Sequence, residues 1–367
     1  MTLTPTSPLS GLELPPIYCP LESRVNPALP QVERWAAAWL AELRLCADRR
    51  ELARVLGTHS ADFYARFAPD AEADGLFTAA LWVYWGFAFD DACCDRGRLS
   101  TRPAEFVPLA ARLQRALELP GADDGADDRH TRALRDIAGR FPRLVGPVQI
   151  QRFTAAHRAW LSGVSWQIAN QACSQSPGLD DYLTMRLHSA GGEPTFALLE
   201  IANGWDVPGT ELDSPAVRAL TEMAILVAAL DNDRHSFHKE LAGGQSDQNI
   251  YTVLRGEQPG LTLADAVHQA NSLRDRVFCR FRALRERVRP RLGRSGRGYL
   301  DGLAYGIRGN AEWGLRVPRY LRVGAPLTGS EGLEDTEIVW ADGPADPDPA
   351  PPRLPTIAWW WDRALEP

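Results

Sequence analysis

From Leu76 to Phe89 the chain runs without a charge or a proline, and its apolar residues show no strand-like alternation. A helix that is apolar almost all round must be surrounded by others, so Glu72 to Cys94 reads as a central helix of a bundle. Its C-terminal end carries Asp90-Asp91-Ala92-Cys93-Cys94-Asp95. On an α-helix Asp91 and Asp95 share a face, while Asp90 sits about 100° from Asp91. Carboxylates at the end of a buried helix are costly unless paired or metal-bound, and negative charge there opposes the helix dipole.

A second apolar run, Met223 to Leu230, passes straight into Asp231-Asn232-Asp233-Arg234-His235-Ser236-Phe237-His238-Lys239-Glu240. Asn232, Ser236 and Glu240 recur every four residues and therefore share a helical face. An amide oxygen, a hydroxyl and a carboxylate are hard ligands, suited to Mg²⁺ rather than to zinc or copper.

Helical spacing accounts for most of the remaining chain: residues 30–56, 61–67, 131–138, 147–171, 247–255, 263–288 and 296–317. Asp180-Asp181 reads as the N-cap of a helix that carries Arg186; Gly191-Gly192-Glu193-Pro194 interrupts it before Thr195 to Asn203 resumes. Gly-Ala-Asp-Asp occurs twice within Glu118 to Arg129 and reads as an acidic surface loop. No strand or hairpin signal stands out. The expected architecture is all-α, a single domain of about ten helices over residues 31–322. A proline-rich strap (1–30) precedes it, and a flexible tail rich in Pro, Gly and Asp (323–367), with Trp359-Trp360-Trp361 near its end, follows.

A net charge of -7 and the absence of a basic run with interleaved aromatics argue against nucleic-acid and anionic-membrane partners, and leave a homodimer open. Six cysteines without a CxxC pair read as reduced thiols. No signal-peptide pattern is present at the N-terminus, and no apolar stretch reaches the roughly 18 to 20 residues that span a bilayer, so a cytoplasmic enzyme is expected.

Taken together, the aspartate-rich motif, the Asn232/Ser236/Glu240 motif, Arg186 and the Arg319-Tyr320 pair resemble the class I terpene cyclases of the bacterial type. The resemblance implies an antiparallel α-bundle whose mouth holds three Mg²⁺ ions. Asp90, Asp91 and Asp95 would bind two of them, with Asp91 favoured over Asp90, and Asn232, Ser236 and Glu240 the third. Arg186, Lys239, Arg319 and Tyr320 would donate hydrogen bonds to a prenyl diphosphate, and Ser189 and Ala190 would link diphosphate binding to ionisation. The aspartate-rich motif is one residue longer than the common DDxxD form, and Arg234 stands where the second motif usually has an aliphatic residue. A chain-elongating prenyltransferase would carry a second DDxxD, and nothing after residue 200 reads so. A non-catalytic helical binding protein would not need all four features together.

The cation left by ionisation needs a dry pocket with aromatic faces, for which Tyr84, Phe87 and Trp313 are candidates. Steps of three, four and seven or eight residues back from Asp91 and Asn232 give Ala88, Phe87 and Tyr84, then Ala229, Ala228, Ile225 and Ala224, as pocket positions. The many alanines suggest a roomy cavity and the C20 substrate geranylgeranyl diphosphate, with C15 farnesyl diphosphate as the alternative.

Overall fold

The computed structural model describes residues 14–95, 97–122, 128–243, 248–322, 327–329 and 331–366, with the backbone alone at Asp95. Most of the repeated Gly-Ala-Asp-Asp segment lies outside these residues. The helices are α1 (Leu29–Glu42), α2 (Arg49–Leu56), α3 (Ser60–Phe67), α4 (Ala73–Phe89), α5 (Pro103–Glu118), α6 (Arg129–Arg140), α7 (Pro147–Ala172) and α8 (Leu179–Ser189). They continue with α9 (Gly192–Asn203), α10 (Gly209–Leu212), α11 (Pro215–Gly243), α12 (Ile250–Glu257), α13 (Leu263–Val288), α14 (Arg294–Gly314), α15 (Pro318–Leu321) and α16 (Pro355–Ala358). Among the described residues there is no sheet, only an isolated parallel bridge between Ile17 and Trp340. No described helix is long and apolar enough to cross a membrane.

The apolar run does form a central helix. α4 packs against α1, α3, α6 and α9, while α11 packs against α8, α9, α13 and α14. α14 also lies on α3, so α3, α9 and α14 join the α4 side of the bundle to the α11 side. α14 comes very close to its neighbours because it presents glycines to them. A Cβ on Gly306 would lie 2.6 Å from Phe196 and 2.8 Å from Phe67, and one on Gly309 would lie 2.5 Å from Arg66 Cβ.

Several elements differ from the sequence expectation. Residues 30–56 form two helices, because Asp48 caps α2 by accepting from Glu51 N at 2.8 Å. α5 was not expected; it carries Pro108 in its interior and yet buries Phe106, Leu113 and Leu117. Asp180 and Asp181 lie in the first turn of α8, whose N-cap is Gly178. The tail is not loose over its described length: Ile357, Trp360 and Leu365 are buried. Trp360 donates its indole N–H to Glu222 on α11 at 3.0 Å and accepts from Arg280 on α13 at 2.8 Å. Thr356 N donates to Asp180 at 3.0 Å, which fastens the tail to α8. Composition hid this, since three apolar anchors suffice to hold a segment otherwise made of Pro, Gly and Asp.

Candidate active site

A cavity with about 1320 Å³ of empty space, its mouth included, opens between α4 and α11. Both motifs reach it. The turn that follows α4, Asp90–Asp95, is π-helical, so one extra residue is accommodated there and the α-helical step no longer holds. Asp90 lines the cavity. Asp91 instead accepts two hydrogen bonds from the Arg319 guanidinium, both at 2.7 Å, with Lys239 Nζ 3.6 Å away. Burial pushes the Asp91 carboxyl up, but Arg319 and Lys239 outweigh it and hold the group below the usual carboxylate range. The preference for Asp91 over Asp90 as a ligand assumed α-helical geometry through this turn, and that assumption fails.

On α11, Asn232, Ser236 and Glu240 all line the cavity, as their four-residue spacing requires. Asn232 donates from Nδ2 to the Tyr320 hydroxyl at 2.8 Å, which turns its oxygen the other way. Glu240 accepts from Asn249 Nδ2 at 3.0 Å through one carboxylate oxygen. The Ser236 hydroxyl is buried with no hydrogen-bond partner among the described residues. Among those residues no three His, Cys, Asp or Glu side chains form a metal cluster. The oxygens gathered here are instead two carboxylates from different helices, an amide and an orphaned hydroxyl, and a hard cation such as Mg²⁺ fits that donor set.

Arg186 reaches the same mouth from α8. Its Nη2 donates to Asp233 Oδ1 at 2.6 Å and to Asn232 Oδ1 at 3.3 Å, while its buried Nε has no partner among the described residues. Asp233 is itself fixed by the Tyr182 hydroxyl and by Ile250 N. Burial raises the Asp233 carboxyl, although Arg186 pulls the other way. Directly after Arg186, α8 ends at Ser189 and Ala190, and Gly191 takes φ 75°, a left-handed turn that glycine makes without strain, before α9 begins. Ser189, Ala190 and Gly191 all line the cavity, and the Ser189 hydroxyl is buried with no partner among the described residues.

Below the mouth the walls are apolar. On α4 the lining residues are Trp82, Val83, Gly86 and Phe87, which stand eight, seven, four and three residues before Asp90. The expected stripe was counted from Asp91 and is one residue out of step. Phe87 lines the cavity, but Tyr84 and Ala88 are buried in the core away from it. On α11, Ile225, Ala228 and Ala229 line it and Ala224 does not. Trp313 lines it and stacks on Phe87 at 5.6 Å. Sequence reasoning missed Phe63, Phe67, Trp160, Phe196 and Asn310, which come from helices without a motif to count from.

Residues 81–278 match the family described as terpene synthase family 2, C-terminal metal binding. Spiroviolene synthase of Streptomyces violens is 56% identical over 359 residues, covering 97% of this chain and 99% of that protein. Phomopsene synthase of Allokutzneria albata is 36% identical over 362 residues, covering 98% and 100%. The crystal structure of the SVS_A2 protein, from ancestral sequence reconstruction, superposes with a TM-score of 0.86 at 57% identity, covering 96% of this chain and 100% of that one.

Proposed function

Because the chain belongs to the class I terpene synthases of the bacterial type, we propose that it is a Mg²⁺-dependent cyclase that ionises a linear prenyl diphosphate, with geranylgeranyl diphosphate as its preferred substrate. One observation carries this reading: a single cavity has hard oxygens and fixed cations at its mouth, and aromatic and small apolar side chains below.

Asp90 and its π-helical turn would hold two metal ions, and Asn232, Ser236 and Glu240 a third. When bound, the ions supply neutralisation of the diphosphate as the allylic C–O bond breaks. Arg186 presents an Nε without a partner among the described residues, and Lys239, Arg319 and Tyr320 line the same cavity mouth to receive diphosphate oxygens. For Arg319 to do so, its pair with Asp91 must be shared or exchanged, which makes Asp91 a holder of that guanidinium. Ser189 and Ala190 join the end of Arg186's helix to the cavity, and would pass diphosphate binding on to the bond that ionises. Below them, aromatic faces exclude water and favour positive charge.

The longer substrate is supported by the wall just below the mouth, where Gly86, Ala228 and Ala229 line the cavity with small side chains that larger ones would extend into it. A Cβ added to Gly86 would meet nothing within 4 Å. Six free thiols support work in a reducing compartment such as the cytoplasm. The test is incubation of the purified protein with Mg²⁺ and C10, C15 or C20 allylic diphosphates, followed by assay of diphosphate and organic-soluble product. The reading expects diphosphate release with cyclic product and the highest kcat/KM for the C20 chain. A higher kcat/KM for farnesyl diphosphate would shift the substrate to C15, and no release from any of the three would sink the reading.

A further inference from the structure

We infer that Asn310 on α14 steers the positive charge during cyclisation, its side-chain oxygen setting a fixed negative dipole against the carbocation in the apolar part of the cavity. The inference rests on the cyclase reading above and adds a residue that lies apart from the metal motifs and the diphosphate donors.

Asn310 is 6% exposed and lines the cavity in company with Phe63, Phe67, Phe196 and Trp313. Its Nδ2 donates to the Ala228 carbonyl at 3.1 Å, and this is its only side-chain hydrogen bond among the described residues. A backbone carbonyl can only accept, so the amide nitrogen must face Ala228 and Oδ1 must point away from it. That oxygen has no partner among the described residues. Two other polar groups that line the cavity are already occupied: Thr195 donates its hydroxyl to Gly191 O at 2.7 Å, and the Trp160 indole donates to Ser189 O at 3.2 Å.

An amide oxygen turned into a largely apolar cavity wall without a protein partner is a poorer packing choice than leucine, which would fill a similar space without exposing a polar atom there. The helix that carries it is also held firmly. Gly306 and Gly309 let α14 press against Phe67, Phe196 and Arg66, and Trp313 donates to Thr58 O at 2.8 Å. The result is a dipole held in place by its bond to Ala228 O, beside aromatic walls where charge–dipole attraction is stronger than in open water. Aromatic faces spread their attraction over a whole ring. The Asn310 oxygen acts at one point, so it favours the cation isomer whose charge lies nearest to it over isomers with charge elsewhere. No bond to Asn310 forms or breaks.

The test compares wild type, Asn310→Leu and Asn310→Ala with the allylic diphosphate that the wild type consumes best. Diphosphate release and the full product mixture are measured in the same reactions. Leucine keeps the volume and alanine does not, so a change common to both follows the oxygen. Per diphosphate released, the share of the wild-type main product should fall at least about threefold in both variants, with earlier-quenched products taking its place. Wild-type proportions in either folded variant would overturn the inference and leave the cyclase reading intact. Loss of all release in both folded variants would also overturn it, because Asn310 would then act at ionisation or in the fold. A wild-type protein that releases no diphosphate would defeat the underlying reading instead.

Discussion

Two sets of buried charges meet on α11 within three residues of one another, and they are built differently. Around Asp231 every nitrogen of the Arg274 guanidinium is engaged: Nε and Nη2 with Asp231 at 2.9 and 3.0 Å, and Nη1 with Tyr18 O at 2.6 Å and Asp275 at 2.9 Å. Asp275 then accepts from Ala345 N at 2.8 Å, so this set ties strap and tail to the bundle. Around Asn232 and Asp233, by contrast, Arg186 Nε and the hydroxyls of Ser236 and Ser189 are buried without partners among the described residues. Unmet hydrogen bonds in a buried place cost stability. The complete set acts as a clasp, while the unmet groups of the other set face a cavity where an arriving ligand could meet them.

The largest effect expected from this difference is at the open end. Asp90→Asn should lower kcat for diphosphate release by about 100-fold or more at saturating Mg²⁺. A variant as active as the wild type would take Asp90 out of the proposed metal site.

Exchanging one arginine from each set sharpens the contrast. Arg186→Lys should lower kcat/KM about tenfold or more with little change in Tm, because an ammonium cannot reproduce a planar guanidinium. Arg274→Met leaves two carboxylates buried without their cation and should cost about 3–5 kcal/mol in urea unfolding, with kcat per folded molecule within about threefold. Were Arg274→Met stable and Arg186→Lys fully active, the distinction between clasp and open site would collapse.

Asp91 gives a smaller, pH-dependent contrast. Its folded carboxyl lies below the unfolded value of about 3.9, so it adds stability above that pH and loses it as pH falls through the folded value. The urea midpoint of the wild type should therefore drop more steeply than that of Asp91→Asn between about pH 5 and pH 3. Parallel curves would mean that the Arg319 pair does not hold this carboxylate charged. The smallest effect distinguishes wall from core on the same helix. Ala228→Leu should lower the C20 to C15 ratio of kcat/KM by about tenfold. Ala224→Leu should instead cost about 1–3 kcal/mol of stability and leave that ratio alone. Equal changes in the ratio would place both residues on the wall.

Much of this was legible in the sequence because it depends on local period. α13 spans Leu263–Val288 as its spacing predicts, and the four-residue rhythm of Asn232, Ser236 and Glu240 brings all three to one cavity. Local period cannot report what packing decides. The aromatic walls supplied by α3, α7 and α9 meet only in the folded chain, and Asn310 is an ordinary polar residue until Ala228 O fixes its amide. The docked tail was hidden for the opposite reason, since its composition is that of a loop, while a few apolar anchors led by Trp360 and scattered hydrogen bonds such as Thr356 N to Asp180 and Ala345 N to Asp275 hold it. The error on α4 was one of phase, in which a correct periodic rule started from Asp91 instead of Asp90.

That phase error points to what the π turn does. Inserting a single residue into an α-helix rotates everything beyond it by about 100° relative to what came before. A π turn takes up the added residue within itself, because its backbone hydrogen bonds reach five residues instead of four. Backbone positions 90 and 95 thereby become neighbours on successive turns, a relation that positions 91 and 95 would have in an α-helix. The lengthened aspartate motif and the widened turn are thus two views of one adjustment. It works as a vernier, letting the motif slip by one residue against the helix beneath while the packing of α4 below Asp90 stays in its original register.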